Sequence, residues 1–316
     1  MAVMKLVVAA LAYVVLLIGT PALAALNPAG HCVLKAEGRV LTTLDLQQAK
    51  DGSWVGTLSR PANVESFRGS FYNISGPVSE LRVGGKEVGQ DKLELRIASD
   101  ASRGAFLFEM VDRDHAALNP VGAGVAAWML TRTATAQKVS DGWMTKEMYE
   151  ADAKWPSNQE MTRIFEQDQS ARQNPNAIDW TIVSRDDNLR RQRTKQLLDT
   201  GKLRSGEDYF HAAFIFQHGG KPEDYLMAHT LAIIANARGW RDSTWIAAAT
   251  LDRYLQNIGQ RQIYGTQYRS RPDDGGMTQE PYDKTLMSDA LRTAMGVPPL
   301  AEQEEQRKKM EAKPKR

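Results

Sequence analysis

Two patterns of apolar positions divide the chain. Up to about residue 135, apolar residues come in short runs separated by turn formers. The runs fall at 39–46, 54–60, 66–74, 81–83, 92–98, 104–111 and 126–133, with Asp51-Gly52, Ser75-Gly76-Pro77 and Gly84-Gly85 among the breaks. In Leu93-Glu94-Leu95-Arg96-Ile97 the alternation has a period of two, which puts the three apolar side chains on one face of a strand. Short strands with frequent turn signals predict a small antiparallel barrel or sandwich over residues 25–135. From about 143 the period becomes helical. Helices are expected at 146–153, 158–173, 177–200, 206–218, 222–238, 242–258 and 283–295. Gly201, Gly219-Gly220 and Gly239 fall where helix ends favour a left-handed residue, and Pro222 suits a first helical position. The fold class is therefore α+β, a β-domain followed by a helical bundle domain at 143–298. Residues 299–316 are charged and lack core formers, so a charged tail that is either a frayed, solvated helix or disordered is expected there.

Residues 1–24 fit neither pattern. Lys5 precedes a run at 6–19 that is apolar apart from Tyr13, Pro21 breaks it, and Ala22-Leu23-Ala24 fits a small-x-small cleavage site. A signal peptide cleaved between Ala24 and Ala25 is expected, placing the protein in the periplasm or outside the cell. An uncleaved anchor is the alternative, but the run is short of the roughly 20 residues a span needs. No later stretch could span a membrane. Cys32 follows His31 and lies past the apolar run, which excludes a lipoprotein.

Composition narrows the class further. The 316 residues are 42% hydrophobic and 25% charged, which excludes a wholly disordered chain, a collagen and a multi-span membrane protein. Forty basic against 38 acidic residues leave a net charge of +2, with no bias toward nucleic acid or anionic lipid. A single cysteine excludes an internal disulfide and any zinc site with two thiolates.

The candidate chemistry sits mainly in the helical half. His211 and His218 are seven residues apart, on one face of a helix that is apolar nearly all round. His229 shares a face with Leu226 and Ile233, and Asp252 with Trp245, Ala248 and Leu255. A carboxylate in such company needs a partner, and a histidine or a nearby arginine is the expected donor. The set reads either as a binding or acid/base pocket or as a structural polar network that fixes helix packing. No HExxH spacing supports a metal, and no cofactor is expected. Asp168 and Arg172, at i and i+4, read as an exposed helix ion pair, and the basic run at 190–195 as a solvated face. His115, in Asp112-Arg113-Asp114-His115, reads either as a metal or acid/base site or as a polar turn at a strand end. There is no GxSxG elbow, Walker A loop or dinucleotide fingerprint.

Two resemblances add to this. Gly52-Ser53-Trp54 and Trp128-Met129-Leu130-Thr131-Arg132 weakly resemble lipocalin-like barrels, which implies a Trp at one barrel end with an Arg stacked over it, and room for an apolar ligand. His211-Ala-Ala-Phe-Ile-Phe-Gln217-His218, Leu251-Asp252-Arg253 and Gln262-Ile-Tyr264-Gly-Thr266-Gln267 resemble the motifs of a bacterial family of unknown function, over about residues 160–298. Asp168, Arg172 and Asp179-Trp180 look like its upstream landmarks. The resemblance implies a helical domain and marks His211, Gln217, His218, Asp252, Arg253, Tyr264, Thr266 and Gln267 as the residues to test. The leading expectation is a non-catalytic envelope protein that binds a partner protein or a small ligand through the helical domain. The alternatives are a hydrolase using a histidine with Asp252, and a β-barrel carrier of an apolar ligand.

Overall fold

The structure, a computed structural model, describes residues 26–67, 69–98, 105–122, 127–174, 178–271 and 276–311. The expected signal peptide lies outside them. Eight strands come first: β1 (Gly30–Ala36), β2 (Arg39–Gln48), β3 (Trp54–Phe67), β4 (Ser70–Gly89), β5 (Lys92–Ile97), β6 (Ala105–Met110), β7 (His115–Pro120) and β8 (Trp128–Thr133). Each pairs with its neighbour in sequence, and β8 returns to β1, antiparallel, with His31 opposite Thr133. The result is a closed barrel rather than a sandwich, and closure leaves no edge strand among the eight.

The barrel interior follows from the period-two pattern. Leu93 and Leu95 lie opposite Phe108 and Phe106, Phe108 opposite Leu118, and Ala116 opposite Leu130, all buried. Gly85, opposite Leu95, is a glycine for space: a Cβ there would lie 2.6 Å from a Leu95 methyl and 3.1 Å from Trp54 Cβ. On β1 and β2 the alternation is lost, because Cys32–Leu34 and Val40–Leu44 are buried without interruption. That is why β1 gives no amphipathic signal and escaped the sequence reading. Trp54 is buried and donates from Nε1 to Glu87 (3.2 Å), while Arg132 donates to the Asn27 and Ala29 carbonyls. The Arg–Trp stack implied by the lipocalin-like pattern is not formed among the described residues.

Two expected elements change identity. The helix expected at 146–153 is instead β9 (Tyr149–Glu150), which pairs with β4 through Phe71 and Tyr149. Tyr149 is held there by the Trp143 ring, edge-on at 4.9 Å, so tertiary contacts override local helix preference. The turns expected at Ser75-Gly76-Pro77 and Gly84-Gly85 lie inside the single long strand β4.

The helical region comprises α1 (Gln159–Ser170), α2 (Trp180–Asp199), α3 (Gly206–Phe216), α4 (Pro222–Ala237), α5 (Ser243–Asn257), α6 (Asp289–Ala294) and α7 (Leu300–Glu311), with a two-residue hairpin β10 (Arg269–Ser270) and β11 (Met277–Thr278). Of the two alternatives for the charged tail, the described residues form the helix, α7, anchored by the buried Gln303. Asn158, Asp179 and Ser205 cap their helices, Ser205 in a capping box with Asp208. Asp208 also accepts from the Asn158 amide (2.7 Å), which fixes the start of α1 to the start of α3. The core is rich in alanine, with Ala212, Ala213, Ala228, Ala232 and Ala247 among Leu231, Ile215 and Ile246.

By contact the chain divides into two compact units. One takes the chain to Val33 with Thr42–Arg60 and Val78–Val139; the other takes Leu34–Leu41, Pro61–Pro77 and Ser140–Arg316. Among the described residues no helix is long and apolar enough to cross a membrane.

Candidate functional site

The histidines do not form one cluster. His211 is buried and stacks on Phe165 of α1, ring centroids 4.2 Å apart. Its Nδ1 is buried without a hydrogen-bond partner among the described residues, and its Nε2 is 3.9 Å from Glu207. Burial holds the imidazole below the usual histidine range, against the pull of Glu207, Asp208 and Glu166. His229 has Nδ1 2.9 Å from the Ala247 carbonyl, a bond that joins α4 to α5. His218 faces a different group altogether: its Nε2 lies 3.4 Å from Asp168 Oδ2, in contact but not aligned as a hydrogen bond.

Asp168 and Arg172 are not an exposed pair. The Asp168 side chain is 1% exposed and accepts from Arg172 Nη1 (2.7 Å) and Gln169 Nε2 (2.8 Å). Arg172 reaches across to Asp187 of α2 (2.6 Å), and Asp187 in turn accepts from Arg190 (2.9 Å). Two members of this ion network, Asp187 and Arg190, were missed in the sequence. The basic run is split by helix phase: Arg193 and Lys195 pair with Glu160 and Asp199 at the surface, while Arg190 turns inward and Arg191 donates to the His218 carbonyl (2.6 Å).

Asp252 has the most complete shell, and neither a histidine nor an arginine belongs to it. It is fully buried on α5 and accepts from the amides of Ile263 (2.8 Å), Tyr264 (3.0 Å) and Thr266 (2.9 Å) and from the Thr266 hydroxyl (2.8 Å). A carboxylate meeting converging backbone N–H groups is a charge-assisted arrangement, and here it folds the 262–267 loop around itself. A second shell holds the loop from behind. Gln262 bonds the Gln267 carbonyl and amide (both 3.0 Å), and Gln303 and Tyr282 both donate to the Tyr264 carbonyl (2.9 and 3.0 Å). Arg292, itself buried, donates to the Tyr282 hydroxyl (3.0 Å). Gln279 donates to the Gly265 carbonyl. Burial, with the Asp252 charge, raises the Tyr264 phenol above its ordinary value.

Gly265 is required in this loop. Its φ is +81°, and a Cβ would fall 2.1 Å from Gln303 Oε1 and 2.6 Å from the Tyr282 hydroxyl. Gly265→Ala is expected to cost about 2–3 kcal/mol, the left-handed backbone penalty plus overpacking. Chemical denaturation checks this, and a change under about 0.5 kcal/mol would show that the loop relaxes freely.

Arg253, next on α5, spans the loop and the end of α3. It donates from Nε to Gln267 Oε1 (3.0 Å) and from Nη1 to the Gln217 carbonyl (3.0 Å). Gln267 is fixed in turn by bonds from Nε2 to the Ala249 carbonyl (3.2 Å) and Thr266 (2.9 Å). The turn Gln217-His218 is thus where the parts meet. Its two carbonyls take Arg253 and Arg191, and the His218 ring meets Asp168. Of the residues the sequence marked, Asp168, Arg172, Gln217, His218, Asp252, Arg253, Tyr264, Thr266 and Gln267 are joined by a continuous chain of contacts through this turn. His211 and His229 stand apart.

Elsewhere, the Asp112 carboxylate accepts from the amides of Asp114 and His115 (both 2.8 Å), a polar turn that also holds the His115 ring. Cys32 is buried, and burial pushes its thiol up to about 11, with Arg132 opposing and Asp45 adding. Among the described residues no three His, Cys, Asp or Glu side chains gather to hold a metal ion. Comparison of the chain with family models, curated proteins and solved structures gave no match.

Proposed function

We propose that this is an exported, non-catalytic envelope protein whose helical domain, a bundle of α1–α5 carrying the 262–267 loop, binds a small molecule at the Gln217-His218 turn. The observation that carries this reading is a contrast within one cluster. The framework is satisfied, with Asp252, Gln262, Gln267 and Gln303 each engaged by several partners. The groups it presents are not. His218 Nε2, next to the 6%-exposed Gln217, is buried without a hydrogen-bond partner among the described residues, as is Gln256 Nε2. Rigid support behind unspent polar groups is how a preorganised binding site is built. Export rests on the leader pattern of residues 1–24.

A thermal-shift panel of small metabolites on the purified chain tests the reading. A ligand at about 100 times its Kd adds about 2.7 kcal/mol, a rise of several degrees in Tm. Gln217→Leu keeps the backbone carbonyl that Arg253 bonds and should leave the unliganded Tm nearly unchanged while abolishing the shift. A panel without any shift, or an equal shift in Gln217→Leu, would overturn it.

A further inference from the structure

We propose that Arg253 is the receptor for an anionic group, a carboxylate or phosphoryl oxygen, on the small molecule bound at this turn. The inference rests on the binding reading above and adds the charge of the ligand.

Arg253 differs from its neighbours in how its charge is met. Arg172 bonds Asp168 and Asp187, Arg190 bonds Asp187, and the buried Arg292 bonds Asp289. Arg253 is partly buried and has no carboxylate within ion-pair distance among the described residues. Both of its bonds go to neutral acceptors, Gln267 Oε1 and the Gln217 carbonyl. Its Nη2 has no partner among the described residues. A cation withdrawn from water without a counter-ion is costly, and the cost is recovered when an anion arrives. Burial lowers the guanidinium's hold on its proton for the same reason.

The fork is also aimed in advance. Gln267 cannot rotate away, because its Nε2 is bound to Ala249 and Thr266 and its Oε1 is left to Arg253. The Gln217 carbonyl is fixed at the end of α3. Both anchors hold the guanidinium plane before any ligand binds, which lowers the entropic cost of binding. A second donor is available on the same helix face. Gln256 lies at i+3 from Arg253, and its Nε2 is buried without a hydrogen-bond partner among the described residues. Arg253 also caps the α3 carboxyl end, where the helix dipole offers partial negative charge. That role uses Nη1 alone and leaves Nη2 and Gln256 unexplained.

The test titrates inorganic phosphate and acetate into the purified chain by calorimetry at constant ionic strength, with acetamide and glycerol as neutral controls. At least one anion is expected to bind, and the neutral probes much more weakly. Arg253→Gln should weaken binding by about tenfold or more, the loss of one charge-assisted bond. Arg253→Lys keeps the charge without the planar fork and should fall between the two. Gln256→Leu should weaken binding several-fold while leaving Arg253 and its anchors in place, so it serves if either Arg253 variant fails to fold. The anion assignment is overturned if neither anion binds, or if Gln256→Leu and the folded Arg253 variants bind as wild type does, which would leave Arg253 a helix cap only. The two readings separate cleanly. Inert anions, with a neutral metabolite that shifts Tm in a Gln217-dependent way, would remove the charge assignment and keep the binding site.

Discussion

Asp252→Ala is expected to destabilise the helical region by about 3–5 kcal/mol. The carboxylate is fully buried and, among the described residues, is the acceptor for the amides of Ile263, Tyr264 and Thr266. Each donor left unmet in a buried setting costs about 1–3 kcal/mol, and the methyl of alanine satisfies none of them. The effect should be visible in urea unfolding followed by helical circular dichroism. Asp252→Asn is the sharper control. Its carbonyl can still accept from Ile263 and Tyr264, but its NH2 would face the Thr266 amide, donor against donor. A smaller loss, of about 1–2 kcal/mol, is expected. A loss below about 1 kcal/mol for the alanine variant would mean that the loop finds other acceptors or water, and that Asp252 does not organise it. The Gln217-dependent ligand shift should vanish in Asp252→Ala even where the chain remains folded, because the loop that orients Gln267 and hence Arg253 is no longer held.

Asp252 also shows how far the sequence could be read. A carboxylate on the face shared by Trp245, Ala248 and Leu255 had to have partners, and that much was legible from helix phase. The partners were not, because they are backbone amides of a loop, and a main-chain donor leaves no mark in the side-chain pattern. The same limit hid the loop's support from Gln279, Tyr282, Arg292 and Gln303, which come from segments remote in sequence. Asp187 and Arg190 were within reach. With Val183, Thr194 and Leu197 they form a stripe at helical spacing along α2, four of whose five members are buried. The local density of charge at 185–195 masks that spacing. In the β half, the alternation on β5 and β6 was plain, whereas β1 is buried on both faces and looks like neither a strand with a wet face nor a helix. Barrel closure depends on the pairing of β1 with β8, about a hundred residues apart, which no local pattern encodes.

The second large effect concerns charge rather than hydrogen bonds to a loop. Asp168→Asn is nearly isosteric, yet it should cost about 3 kcal/mol at neutral pH, because it leaves Arg172 and Arg190 to share Asp187 alone. The pH dependence gives the effect a signature. Burial opposes ionisation of Asp168, but the attraction of His218 and Arg172 and the bond from Gln169 outweigh it, so the folded carboxyl sits below its ordinary value of 3.8. As pH falls, the unfolded chain therefore takes up this proton before the folded chain does. The stabilisation is complete above the unfolded value and is lost as pH drops through the folded one, so the wild-type advantage belongs to pH above about 4. The gap between wild type and Asp168→Asn should be full at pH 7 and should narrow as the solution is taken below pH 4, where a protonated Asp168 resembles asparagine. An equal gap at pH 3 and pH 7 would assign the loss to packing instead. Arg172→Met provides the cross-check: made in the Asp168→Asn background it should cost less than it does alone, since the buried carboxylate it would strand is already neutral. Strictly additive losses would dissolve the network into separate contacts, and with it the case that these charges fix the His218 end of α3 beneath the proposed site.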